Sequence, residues 1–154
     1  MLDCTFAIDS VTWDNADAVR LRAAQRTELD ARYGTDDHEP GALPTAETMA
    51  VFLVARDASG TALGCGGLLL LGPGPGEVKR MYVDPAARGT GVATALLRAL
   101  EDHARELGIA RLLLETGTGQ PDAIRFYQRE GYEPIEAYGP YVGEPLSRCF
   151  ARDL

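Results

Sequence analysis

Arg88-Gly89-Thr90-Gly91-Val92-Ala93 lies between an extended apolar segment, Glu77 to Val83, and a long amphipathic stretch that ends at Gly108. The order strand, tight turn, helix constrains this chain more than any other feature. Arg111 to Glu115 (RLLLE) follows as a short, nearly continuous apolar run, which reads as a central strand covered on both faces. Two parallel strands joined through a helix make a right-handed crossover, so residues 77–116 predict a parallel pair with the helix packed on it. Glycines at 89 and 91 allow a turn that other residues resist, and a helix opens with N–H groups that have no partner inside it. Anions bind readily at such a place, and the Arg88 guanidinium can donate two hydrogen bonds to one phosphate. The same residues also suit an ordinary strand-to-helix turn, so the turn alone leaves both readings open.

The surrounding pattern is mixed. Residues 4–11 read as a strand. Asp14 and Asp17 mark a helix start, and that helix carries Val19, Leu21, Ala23, Ala24 and Leu29 to a stop at Gly34. Residues 35–48 are polar and broken by Pro40 and Pro44, which predicts a loop with at most one helical turn near 45–49. Residues 50–57 and 61–71 are strands joined by Ala58-Ser59-Gly60, hence an antiparallel hairpin. Pro121 opens a further helix that reaches Gly131, and residues 132–138 and 147–153 read as two closing strands. The pattern is that of an α/β (α+β) fold. One domain over residues 1–154 is expected, because 154 residues with 45% hydrophobic content can bury a single core without a linker.

Charge removes several functions from consideration. A net charge of −8 and a pI near 4.7 repel nucleic-acid backbones and anionic membranes. The longest apolar run, Leu68 to Leu71, is far too short to cross a bilayer. Cys4, Cys65 and Cys149 are odd in number and lack the paired spacing of a metal site. With no basic and apolar leader at Met1-Leu2-Asp3-Cys4, the expectation is a soluble, cytoplasmic protein without a metal. His38 and His103 have no ligand spacing either.

Two phosphate-binding patterns compete for residues 88–93. A dinucleotide fingerprint needs a third glycine where Thr94 stands and a turn directly after its strand, whereas Asp84-Pro85-Ala86-Ala87 intervenes. Glu115 could imitate the ribose-binding acid of such folds, but the hairpin before residue 77 is out of place in them. The other pattern, Q/R-x-x-G-x-G/A, is met by Arg88, Gly91 and Ala93. Before it stands Glu77-Val78-Lys79-Arg80-Met81-Tyr82-Val83. After it come Gln120-Pro121-Asp122-Ala123-Ile124-Arg125-Phe126-Tyr127 and Glu130-Gly131-Tyr132. In this order and spacing the chain resembles the GCN5-related N-acetyltransferases, the GNAT superfamily. The likeness extends over most of the chain and is weakest before residue 50.

The resemblance implies a mixed, mostly antiparallel sheet of about six to seven strands, splayed between the fourth and fifth and flanked by about four helices, with acetyl-CoA as co-substrate. It implies that the amides of Arg88, Gly89, Thr90, Gly91, Val92 and Ala93 hold a pyrophosphate. Met81, Tyr82 and Val83 would pair with the pantetheine arm as with an added strand. Gln120 stands where many members have an Asn that reaches the cofactor. Tyr127 falls on the general-acid tyrosine of the family, a phenol with a reference pKa of about 10 that stays protonated at neutral pH; the alternative is a core aromatic. Glu77 lies eleven residues before Arg88, where some members carry a catalytic glutamate; the alternative is a strand-edge acid beside Lys79. A main-chain N–H near 81–83 is the expected oxyanion donor. Cys149, with no His or Asp partner in view, reads as a core cysteine.

In the family, the regions matching 34–48 and 138–147 line the acceptor site. Asp36, Asp37, Glu39 and Glu144 would there favour a cationic amine, and Tyr33, Tyr138 and Tyr141 would pack on its body. The expectation is an acetyl-CoA-dependent N-acetyltransferase acting on a primary amine of a small molecule or peptide, by direct transfer in a ternary complex. The alternative is a non-catalytic acyl-CoA-binding module. Many members are homodimers, which the sequence neither requires nor forbids.

Overall fold

The computed structural model describes residues 6–36 and 38–154. Asp37 and the first two residues of the expected opening strand, Cys4 and Thr5, lie outside them. Strands β1 (Ala7–Ser10), β2 (Met49–Arg56), β3 (Ala62–Leu70) and β4 (Gly76–Val83) form an antiparallel meander. Strand β5 (Arg111–Gly117) runs parallel to β4, β7 (Ser147–Asp153) pairs antiparallel with β5, and β6 (Glu133–Ile135) closes the far edge. The sheet order is β1-β2-β3-β4-β5-β7-β6. Helix α1 (Ala16–Tyr33) packs on one face, and α2 (Val92–Glu106) with α3 (Pro121–Arg129) on the other.

The mixed, mostly antiparallel seven-stranded sheet and the crossover through α2 agree with the sequence expectation. Three α-helices and two 3-10 turns, Pro85–Ala87 and Gly139–Tyr141, stand among the described residues where about four helices were expected. The stretch holding Pro40 and Pro44 forms only a turn at 46–48, closed by the Met49 N–H on the Thr45 carbonyl at 3.0 Å. The cap of α1 also differs. Asn15, not Asp14, accepts the N–H groups of Asp17 (3.0 Å) and Ala18 (3.2 Å), while Asp14 turns back to the Thr12 hydroxyl. Its C-terminus behaves as read, with Gly34 left-handed at φ 71°. Strand β6 is shorter than expected because Pro134 cannot donate to a ladder, and Pro is tolerated here on an edge.

Two cores result. Leu53, Leu68, Leu96, Leu97, Leu100, Leu112, Leu114, Tyr132 and Phe150 fill the α2/α3 face. Ala18, Leu21, Phe52, Val54, Cys65 and Tyr82 fill the α1 face. The α2 side also buries a charge. Glu101, 1% exposed, accepts Arg98 (2.8 and 2.9 Å), Arg152 (2.7 Å) and the Tyr132 hydroxyl (2.9 Å). Shared among three donors, the carboxylate recovers the solvation that burial removes.

Candidate active site

The site begins where two strands part. β4 and β5 pair at Gly76↔Leu112 and Glu77↔Leu113, and beyond Glu77 the β5 side of β4 has no strand partner. Pairing with β3 is broken at the same level. The register slips between Cys65 and Gly67, and Arg80 takes a left-handed φ of 60°, the mark of a bulge. Two side chains secure its carbonyls: the Gln25 amide donates to the Met81 carbonyl at 3.0 Å and the Cys65 thiol to that of Arg80 at 3.3 Å. The β5 side of β4 beyond Glu77 is left as an edge at which a ligand able to pair like a strand can bind.

At its far end β4 runs into the glycine turn. Gly89 (φ 79°) and Gly91 (φ 94°) are both left-handed, and α2 starts without a side-chain cap. None of the N–H groups of residues 89–94 is bonded to another described residue. Six successive donors at a helix N-terminus suit a polyanion. Arg88 contributes differently from the sequence reading. Its N–H goes to Pro85, its Nε to the Val83 carbonyl at 3.0 Å and its Nη2 to Glu28 at 2.8 Å. The guanidinium ties the turn to β4 and α1 instead of standing free for a ligand.

The gap opens into a cleft of about 700 Å³ walled by β4, β5, α1, Thr35 and the segments 38–44 and 144–147. Tyr33, at the end of α1, reaches across it. A Cβ at Gly117 would collide with its hydroxyl, so glycine there is what admits the Tyr33 side chain against β5. Gln120 joins Tyr33 there, its amide 3.4 Å from the hydroxyl. Tyr127 lines the cleft, its ring 5.1 Å from Phe126 and 6.0 Å from Tyr132, and its hydroxyl has no hydrogen-bond partner among the described residues. Burial pushes this phenol up, so it is held protonated.

The two carboxylates on the parting strands differ. Glu77 is 3% exposed and is absent from the cleft lining; it accepts the Tyr138 hydroxyl and faces the Lys79 ammonium at 3.6 Å. Glu115 lines the cleft and accepts the Ser147 hydroxyl at 2.6 Å. Burial raises its carboxyl above the usual range, against the opposing pull of Ser147 and the charge of Lys79.

Among the described residues, the end of the cleft expected to take the acceptor mixes acids with cations. Asp36 is off the cleft wall. Glu39 is on it but is clamped by both nitrogens of Arg80 (2.7 and 2.8 Å) and approached by Lys79 at 3.4 Å. Burial would raise the Glu39 carboxyl, but Arg80 and Lys79 together hold it low. Tyr138 and Tyr141 pack edge to face at 5.2 Å beside Glu77, Lys79 donates to the Tyr141 hydroxyl at 2.6 Å, and neither ring lines the cleft. Arg22, Arg26, Lys79 and Arg80 share the cleft with Glu39, Glu115 and Glu144. His38 bonds Asp30 at 2.6 Å and stacks on Tyr33. Cys149 is buried in β7.

A sequence model of the acetyltransferase (GNAT) family matches residues 14–132. The chain belongs to that family. An IAA acetyltransferase of Azospirillum brasilense is 47% identical over 104 residues, 67% of each chain. An uncharacterized N-acetyltransferase of Schizosaccharomyces pombe is 37% identical over 62% of this chain and 58% of its own. The solved structure of a Klebsiella pneumoniae protein assigned as an acyl-CoA N-acyltransferase superposes with a TM-score of 0.83 at 38% identity, covering 99% of both chains. As a GNAT member the chain is an acetyltransferase with acetyl-CoA as its acyl donor. The open β4 edge, the six unpaired amides and the cleft between the strands fit that donor. Sequence reasoning overlooked Arg22 and weighed Glu115 only as a ribose ligand. The sign was available in Glu115, a charge placed in a strand otherwise fit for burial on both faces.

Proposed function

We propose that this GNAT enzyme transfers the acetyl group directly to a primary amine of a small molecule, with donor and acceptor held together in the cleft between β4 and β5. The observation that carries the reading is the convergence on one cleft of an unpaired strand edge, a proton donor (Tyr127) and a proton acceptor (Glu115). Acetyl-CoA supplies an activated thioester. The amides of Gly89, Thr90, Gly91, Val92, Ala93 and Thr94 bind its pyrophosphate, with the Arg88 side chain securing their turn. Met81, Tyr82 and Val83 offer main-chain groups to the pantetheine amides, and Gln120 with Tyr33 closes the mouth.

Glu115 takes a proton from the acceptor ammonium, which frees the nitrogen lone pair for attack on the carbonyl carbon. A main-chain N–H beside the bulge receives the developing oxyanion. As the C–S bond breaks, Tyr127 gives its proton to the sulfur and recovers one from the acylated nitrogen. A partly buried carboxylate with a raised pKa suits the first step. Glu77, covered by Tyr138, instead fixes Lys79 and the Tyr138 hydroxyl.

The test is thiol release from acetyl-CoA across a panel of small amines, with mass spectrometry of the product and initial rates at varied concentrations of both substrates. Intersecting lines and an unmodified protein are expected. Parallel lines with an acetylated protein would refute direct transfer, and thermal stabilisation by acetyl-CoA without turnover of any amine would favour the non-catalytic module.

A further inference from the structure

Among the cations of the cleft, Arg22 is set apart. Arg80 is neutralised by Glu39, Lys79 lies between Glu39 and Glu77, and Arg26 pairs with Asp30 at 3.1 Å. Arg22 forms no ion pair with any described residue, though Arg80 adds like charge nearby. Its Cζ lies 3.5 Å over the Trp13 ring and 4.9 Å from that of Phe52, and its Nη2 donates to the Trp13 carbonyl at 2.6 Å. Its Nη1 is the one buried side-chain nitrogen or oxygen without a hydrogen-bond partner among the described residues.

A buried donor on a guanidinium is costly to leave unpaired, and here the aromatic rings fix the group in place before any ligand arrives. Glu115 and Glu144 belong to the same cleft, on the β5 side and in the segment before β7, whereas Arg22 projects from α1. The cleft therefore carries an uncompensated positive group on one wall and carboxylates on another.

Resting on the acetyl-transfer reading above, we infer that Arg22 binds a carboxylate of the acceptor, so that the substrate is an amino acid or a similar zwitterion, its amine toward Glu115 and Tyr127. The unsatisfied Nη1 then gains an acceptor in a charge-assisted hydrogen bond.

Free amino acids and their carboxamides, which share the amine, are compared by thiol release. In the wild type, kcat/KM for the acids exceeds that for the amides by about 10- to 100-fold, the range expected of hydrogen bonds to a charged group. Arg22→Gln removes that preference mainly through the KM of the acid while the KM for acetyl-CoA holds, and Arg22→Lys restores part of it. A wild type that uses amides as well as acids overturns the inference, as does an R22Q variant that keeps the preference. Release with only those amines that lack an anionic group overturns it too and leaves acetyl transfer standing. No release with any amine overturns both. If R22Q does not fold, the wild-type comparison decides.

Discussion

Replacing Tyr127 with Phe separates a catalytic hydroxyl from a structural ring. Phe keeps the contacts with Phe126 and Tyr132 and loses one hydroxyl that no described residue bonds. Without a hydrogen bond to break, the change in stability stays within about 1 kcal/mol, a Tm shift of less than about 4 °C for a chain of this size. The chemical step fares differently. Removing a positioned general acid lowers kcat by about 10²- to 10⁴-fold, or about 3–5 kcal/mol of barrier. Binding of acetyl-CoA rests on the β4 edge and the 89–94 amides, so its KM moves by less than about threefold. Because burial drives the phenol upward, it stays protonated across the assay range, and the Tyr127→Phe pH profile keeps its shape and loses height. The assays are a steady-state thiol-release titration and a thermal melt of the same preparation. Turnover within about threefold of wild type would refute the proton-donor role, and a Tm loss above about 5 °C would show that the hydroxyl holds the fold.

Burial raises the Glu115 carboxyl, so kcat/KM rises with pH along a limb above the ordinary Glu value of about 4.3 and is lost as pH falls through it; Glu115→Gln removes the limb and about 10²-fold of the rate. A limb that survives in Glu115→Gln and vanishes in Glu77→Gln would return the proton-accepting role to Glu77. Gly91→Ala places a side chain at φ 94°, costs about 1–2 kcal/mol of stability and raises the KM for acetyl-CoA about tenfold by turning the amides aside, and an unchanged KM would remove the turn from donor binding. Glu101→Ala strands the Tyr132 hydroxyl and two partly exposed guanidiniums, for a loss of about 3 kcal/mol in chemical unfolding near neutral pH. Burial alone would raise the Glu101 carboxyl, but Arg98, Arg152 and Tyr132 together hold it low in the folded state. Its stabilisation is therefore present above the unfolded value and lost as pH falls through the folded one, so wild-type and Glu101→Ala stabilities converge in acid.

The backbone around the candidate donor site was legible because backbone leaves strong marks in sequence. Gly89 and Gly91 announce left-handed turns, the run from Glu77 to Val83 announces a strand, and the period of Val92, Leu96 and Leu100 announces the helix that opens after them. The same local rules miss by a residue or two where a side chain chooses between neighbours, as at Asn15 and Asp14. The role of Arg88 was missed because Glu28 lies 60 positions away, and no local pattern tells a free guanidinium from one already paired. Glu77 and Glu115 show the same limit. Both are acids on adjacent strands, and which one meets the cleft depends on Tyr138 and Ser147, brought in from the segments before and within β7.

The acceptor half illustrates why net charge is a poor guide to a site. A chain at −8 suggests an acidic surface and a cationic substrate, yet long-range pairing redistributes that charge locally. Glu39 is consumed by Arg80 and Lys79, Asp30 by Arg26 and His38, and Glu28 by Arg88. Each pair cancels in the far field and leaves a nearby ligand little to bind. On the reading proposed above, what a substrate meets is the remainder, namely Glu115 with its raised carboxyl and Glu144 on one side and Arg22 with its unpaired Nη1 on the other. Charges of both signs left over in one cleft would favour a ligand that carries both, and a simple polyamine, which the total charge would favour, would bring a second cation toward Arg22.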